Sequence, residues 1–390
     1  MSGRRGWISF MLAALVGGLL LGLSPAGPAE AFEPPLEPSI RTRARVLEVV
    51  DDEEVQEGAW GLPMRRQTVT LRILGGRYRD ETFTVHNYLS GQPGYDLVLS
   101  PGDTVLVSIE EGDVEGPAVF IEDFARDTYL YGLMGLFAVS LVAMGGRKGL
   151  KTLLALALTI LAVFFLLLPR LLAGSPPVAT TVVLCALITL ATMVMVAGPN
   201  RKALAATLGT TGGLAVAGVL AMYGGNLAQL MGMSAQEAQF LYFVDDLQLD
   251  FRGLLFSGMI LGALGAIMDV AMSIASAVEE IRRANPALSP LALFRSGMNV
   301  GRDVMGTMAN TLILAYTGGA LPLLLLLMVH DASLIKVLNL DLIATEVVRA
   351  LAGSIGVVLC VPITAALASV VFSPAVRRRV ARTRGAPRRA

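Results

Sequence analysis

From residue 129 onward the chain runs through one apolar stretch after another, each long enough to cross a bilayer. A hydrocarbon core about 30 Å thick needs roughly 20 apolar helical residues. The candidates are 129–145, 150–169, 177–197, 203–224, 253–276, 303–329 and 347–372, about seven spans by that criterion. Composition agrees: 54% of residues are hydrophobic and 16% charged, against roughly 25% charged in soluble domains. A soluble fold of 390 residues has no way to hide that much apolar surface. The expected class is an α-helical membrane bundle, residues 128–376, followed by a basic tail, 377–390.

The N-terminal third of the chain reads differently. Arg4 and Arg5 stand before an apolar run from Trp7 to Leu23, followed by Ala29-Glu30-Ala31. A basic start, an apolar run and an Ala-x-Ala site are the layout of a secretory signal. Residues 1–31 are therefore expected to carry the segment after them across the membrane, either cleaved or kept as an anchor. Residues 32–127 begin with a proline-rich linker and then turn polar, with apolar residues alternating at period two. Strands are expected near Arg43–Val50, Gln67–Leu74, Thr82–Asn87, Thr104–Ile109 and Ala118–Asp123. Turn signals separate them: Gly75-Gly76, Ser90 to Gly94, Ser100-Pro101-Gly102-Asp103 and Glu111-Gly112-Asp113. About five short strands in so few residues predict a small all-β, OB-like barrel. Tyr78, Phe83, Tyr88 and Tyr95 are read as core and edge residues, and His86 as an exposed strand histidine.

Lysine and arginine in short loops set orientation. With the β-domain outside, Arg147-Lys148, Arg201-Lys202, the arginines Arg282, Arg283, Arg295 and Arg302, and Arg377-Arg378-Arg379 all fall on the inner side. The loop 226–251, with Asp245, Asp246 and Asp250, and His330-Asp331 fall outside. Gly146-Arg147-Lys148 and Asn200-Arg201-Lys202 open two outward-going spans alike, a faint internal repeat.

Several classes of chemistry find no support. Zero formal net charge gives no global field to attract nucleic acid. HExxH, CxxC, Walker and GxSxG patterns are absent from the sequence. Cys185 and Cys360 lie inside apolar runs and read as packing residues. No catalytic residue, metal ligand or cofactor is expected, and the chain reads as non-enzymatic.

Two spans depart from the rest. In span five, Asp269, Ser273, Ser276 and Glu280 share one helical face. In span six, Asn299, Asp303, Thr307 and Asn310 do the same. By helical rise, Asp269 lies about 10 Å and Asn310 about 12 Å from the inner ends of their spans. On antiparallel helices that would set them level. A carboxylate in hydrocarbon costs about 2.5–3.5 kcal/mol on insertion scales, so Asp269 should face protein or water. One reading is an ion or polar path open to the cytoplasm, lined by Asp269, Ser273, Asn299, Asp303, Thr307 and Asn310. The other is a hydrogen-bond clamp between two helices. Gly258, Gly262, Gly265 and Gly306 are read as helix-packing positions, since close backbone contact holds helices together in lipid. Gly209, Gly213, Gly353 and Gly356 add further small faces. Between these spans, Asn285-Pro286 should stop one helix, and Ser289-Pro290 should cap a short one through Phe294.

The run Leu249-Asp250-Phe251-Arg252-Gly253-Leu254-Leu255 and the segment from Gly262-Ala263-Leu264-Gly265-Ala266-Ile267-Met268-Asp269 to Ala275 resemble the YibE/F family of bacterial multi-pass membrane proteins. So does the segment from Ser296-Gly297-Met298-Asn299-Val300-Gly301-Arg302-Asp303 to Tyr316. The resemblance extends from the β-domain to span seven. It implies a bacterial plasma membrane location, and it carries over no catalytic residue. The functional expectation is a transporter or transport component, with the bilayer and a small ion or solute as partners. The alternative is a membrane scaffold, or an envelope-complex partner that binds a protein through residues 40–127.

Overall fold

The computed structural model describes residues 40–57, 63–91, 94, 96–112, 116–244, 249–329 and 333–372. The expected signal and linker, Tyr95, Asp113, Asp245, Asp246, His330, Asp331 and the basic tail lie outside the described residues. The chain divides into two compact units, residues 32–140 and a second unit containing 141–390.

In the first unit, five strands form one antiparallel sheet: β1 (Ile40–Glu57), β2 (Pro63–Ile73), β3 (Thr82–Leu89), β4 (Thr104–Gly112) and β5 (Gly116–Phe124). Their order is β3-β2-β1-β4-β5. The edge strands β3 and β5 approach each other without pairing, so the sheet curls into a partly open barrel. The period-two pattern explains the core. Ala44, Val46, Val69, Leu71, Ile73, Val105, Val107 and Ile109 all point inward and are buried. The register sets Ala44 against both Ile73 and Val105. A shift between Val46 and Glu48 bulges β1, which bends a strand and increases its twist.

The Pro101-Gly102 turn docks at this bulge. The Gly102 amide donates to the Val46 carbonyl at 2.9 Å, and the Val46 amide donates to Asp103 O at 2.8 Å. Gly102 has φ +98°, a conformation that favours glycine. Before it, buried Gln67 pins the loop: Leu99 N donates to its Oε1 at 3.1 Å, and its Nε2 donates to Asp51 Oδ1 at 2.9 Å. The Asp96 carboxylate closes the preceding turn by accepting from the Ser90 and Gly91 amides, at 2.6 and 2.7 Å. Tyr78 and Phe83 pack on the core with their rings edge to face, and Tyr88, on the edge strand β3, is exposed. His86 is exposed and meets Thr68 Oγ1 at 3.2 Å.

The helical part runs α1 (Asp127–Ala162), a π-helical turn (Val163–Leu167), α2 (Leu168–Leu172), α3 (Pro177–Ala197), α4 (Arg201–Leu227), α5 (Gln236–Tyr242), α6 (Phe251–Ala284), α7 (Pro290–Gly319), α8 (Leu321–Val329), α9 (Leu334–Leu338) and α10 (Asp341–Val371). Among the described residues five helical stretches are long and apolar enough to cross a membrane, and six if α7 and α8 count as one bent span. The first stretch, Asp127–Leu172, holds 46 residues, about 69 Å at 1.5 Å per residue, more than twice what one crossing needs. It is interrupted at Gly146, which is non-helical at φ 54° and ψ −131°. Beyond the break the chain turns so sharply that a Cβ on Gly149 would run into the Leu141 carbonyl. The break falls between the first two spans read from the sequence and accounts for the count of about seven. The suggested repeat is built differently at its two ends, since Asn200 is an N-cap accepting from Ala203 N at 2.8 Å.

Two expectations need correction. The helix after Ser289 does not end at Phe294; it continues as α7 to Gly319. Its cap is as expected: Ala292 N donates to Ser289 Oγ at 3.2 Å, and Pro290 sits at the first turn. No breaker separates Phe294 from Asn310, so the first turns of this helix and the sixth span are one element. That span is not straight to residue 329 either. It bends by 60° between α7 and α8, where Gly318-Gly319 precede Pro322, a residue with no amide hydrogen to continue the ladder.

At the centre, α10 packs along α4, α6 and α7, and α4 packs along α6. Small residues let these backbones approach. A Cβ on Gly213 would lie 2.8 Å from Ile267 Cγ2 and 2.9 Å from Cys360 Cβ, and one on Gly356 would lie 2.8 Å from Ala217 Cβ. Several threonines inside the bundle bond their hydroxyls back to their own helix, whereas Thr181 and Thr192 find no partner among the described residues. Thr189, Thr207 and Thr210 donate to the carbonyls of Cys185, Ala203 and Ala206 at 2.7–2.9 Å. Cys185 and Cys360 are both free and buried, as expected of packing residues.

Candidate functional site

The polar residues of spans five and six lie on α6 and α7, which pack against each other. On α6, the buried face carries Ile260, Ala263, Ile267, Val270, Ile274 and Val278. The opposite face carries Gly258, Gly262, Gly265, Asp269, Ser273 and Glu280, all exposed. On α7, Asn299, Arg302, Asp303, Gly306, Thr307 and Asn310 are likewise exposed on the protomer surface. The sequence brings each set onto one face as expected. Both faces look outward from the protomer.

Antiparallel contacts set the register of the pair. A Cβ on Gly297 would lie 2.8 Å from Val278 Cγ2, and one on Gly301 would lie 3.4 Å from Ile274 Cδ1. Steps of one turn along both helices then set Val270 beside Met305 and Ala266 beside Ala309. Asp269 therefore stands level with Gly306 and Thr307. Asn310 falls about one turn further, beside Gly265, which corrects the expected Asp269–Asn310 pairing. The sequence estimate measured depth from span ends, and both helices run beyond the ends assumed. With the described residues Asp269 makes no hydrogen bond and no ion pair, so the clamp reading has no bond to rest on. Asp303 lies about 140° around α7 from Tyr316, the residue that reaches α6, so the two carboxyl groups do not converge.

The neighbours of this face are sparse. A Cβ on Gly258, Gly265 or Gly306 would meet nothing within 4 Å, and on Gly262 only the Tyr316 ring end, at 3.0 Å from Oη. Of the four glycines read as packing positions, only Gly262 touches a neighbouring helix among the described residues. Asp269 and Ser273 on α6, and Thr307 and Asn310 on α7, thus stand exposed on two neighbouring helices, beside glycines with open space over them. Arg302 Nη1 donates to Asn299 Oδ1 at 3.2 Å, near the start of the α7 face. Thr307 donates to the Val304 carbonyl at 2.9 Å.

Sequence reasoning missed a second polar group, further along α7. Tyr316 Oη, Arg349 Nε and Ser354 Oγ are buried and find no hydrogen-bond partner among the described residues. Arg349 Nη1 pairs with Glu346 Oε1 at 2.7 Å on α10, both half-buried. Tyr316 Oη also lies near Gly353, 3.9 Å from where its Cβ would be. The signal was available: Glu346 and Arg349 are charges inside α10, and ionisable residues in spans are functional by default. They escaped because the seventh span was taken to begin at residue 347, which set them at its margin. At the start of α10, Asp341 accepts from Ser234 Oγ at 2.6 Å, tying the loop after α4 to that helix.

Comparison with known proteins agrees with this two-part architecture. A family model described as YibE/F-like protein matches residues 133–374, and one described as YibE/F family N-terminal domain matches residues 39–124. No curated protein matches the chain, and no solved structure does.

Proposed function

From the premise that the chain belongs to the YibE/F family and is a membrane protein, we propose that it moves a proton or small cation along the exposed polar faces of α6 and α7. One observation carries this reading: Asp269 stands in the middle of a membrane-crossing helix, on an open polar face, with no partner among the described residues. A carboxylate held there without a counter-charge is costly, and a site that takes up a cation or proton is a physical reason to keep it. The polar groups supply steps on either side, from Asn299 and Asp303 past Thr307 to Asp269, then past Asn310 to Tyr316 and the Glu346–Arg349 pair. Buried polar atoms without protein partners, such as Tyr316 Oη and Ser354 Oγ, are where ordered water sits.

On this reading the chain lies in the bacterial plasma membrane with its β-domain outside and its C-terminus in the cytoplasm. It is also non-enzymatic on this reading, which the placement of Asp269 and Asp303 on different sides of their helix pair supports. The test is flux in proteoliposomes under an imposed proton or cation gradient. Asp269→Asn should abolish it while the protein still inserts and purifies as a folded species; unchanged flux in that variant would remove the proposal.

A specific observation favours a second reading, a scaffold that binds an acidic partner through residues 40–127. Arg45 and Arg72 stand directly opposite each other on the outer face of the sheet, and no acidic group pairs with either among the described residues. Like charges facing each other across strands are destabilising, and an acidic ligand would relieve that. Here Arg72→Glu should disrupt a cross-linked complex in the envelope and leave proteoliposome flux untouched.

A further inference from the structure

We propose that a second copy of this chain covers the outer face of α7, in a parallel two-fold arrangement about the membrane normal. On this face Asn299, Asp303, Gly306, Asn310, Ile313 and Thr317 recur with alternating steps of i+4 and i+3, the spacing of a helix–helix seam. Every one of them is exposed in the protomer. From Asn299 to Thr317 the seam rises about 27 Å, nearly the whole hydrocarbon thickness. Acyl chains satisfy neither an amide nor a carboxylate, so something other than lipid must lie against it.

The seam is complementary to itself. In a parallel two-fold pair, one flank of a helix meets the opposite flank of its twin at the same depth. Arg302 lies on one flank and Asp303 on the other, so Arg302 would meet Asp303 of the partner subunit, twice over. Arg302 has no carboxylate partner among the described residues, and its one hydrogen bond goes to Asn299. Asn310 lies on the midline, and an amide both donates and accepts, so it can bond its own twin. Gly306, where a Cβ would meet nothing within 4 Å, allows the two backbones to approach. The arrangement deepens the transport reading, because a second copy would shield the polar face of α7 from lipid. It shares Asn299, Asp303 and Asn310 with that reading but does not depend on Asp269.

The test is disulfide trapping of the full-length protein in native membranes. Ile313→Cys and Thr317→Cys, on the seam, should form dimers on mild oxidation, and Ala315→Cys, exposed but off the seam, should not. Arg302→Asp and Asp303→Arg alone should each lower trapping at 313 by roughly fivefold or more, and the two together should restore it. Equal trapping at 313 and 315, indifference to the charge changes, or a monomer by mass photometry in nanodiscs would overturn the proposal. Trapping at 313 without Asp269-dependent flux keeps the seam and loses the transport reading. A monomer with Asp269-dependent flux does the reverse.

Discussion

Glycines that look alike in the sequence do different jobs. Gly258 and Gly262 form the same four-residue spacing as Gly209 and Gly213, yet only the second pair is packed against neighbouring helices on both members. Gly213→Val should therefore destabilise the bundle by about 1–3 kcal/mol, the usual cost of overpacking, read as a lower thermal midpoint in detergent. Gly265→Ala adds a methyl to open space and should leave that midpoint unchanged. Spacing marks a small face but does not say what lies opposite, and this is why the packing glycines were only half legible. Asp269 was legible as an outlier, because an acid inside an apolar run announces itself. Its lack of a partner was not, since that depends on which way the face is turned. In the β-domain, Gln67→Ala would leave the Leu99 amide without its acceptor, a loss of about 1–3 kcal/mol for a buried donor. Hydrogen exchange should speed up at residues 97–100 while the strand cores stay protected.

Among the elements, strands and spans were read well for opposite reasons. The strands declare themselves by alternation between turn signals, and β1 to β5 each contain or overlap the expected segment. All five run past their expected segments, β1 furthest, because its ladder with β2 continues past the irregularity between Asp52 and Gln56. The spans declare themselves by length alone, which fixes existence better than limits. The apolar run of span five ends at 276, while α6 continues to Ala284 and ends at Asn285, where Asn285-Pro286 is the expected stop; α7 begins at Pro290, well before the apolar run of span six. The extra turns hold Glu279, Glu280 and Arg283, paired at 2.8 and 3.1 Å. Such i,i+3 and i,i+4 pairs support helix in water, where hydropathy gives no signal. The bend after Gly319 was missed because leucines run through it.

At the scale of the whole chain, the basic short loops predict a single sidedness. Single cysteines at Thr84, Lys148, Lys202 and Arg283 test it with a membrane-impermeant maleimide. Only Thr84→Cys should label in intact spheroplasts, and the other three only after the membrane is opened; Cys185 and Cys360 are buried and should stay silent. Labelling of Lys148→Cys from outside would overturn the sidedness. The close approach of α4 and α10 has a mechanical consequence as well. With Gly213, Ala217, Gly356 and Cys360 interlocked at backbone distance, neither helix can slide or roll without collision, so those two and α6 form a keel. Any working stroke must then come from parts hung on that keel by a joint, and the elbow between α7 and α8 is such a joint.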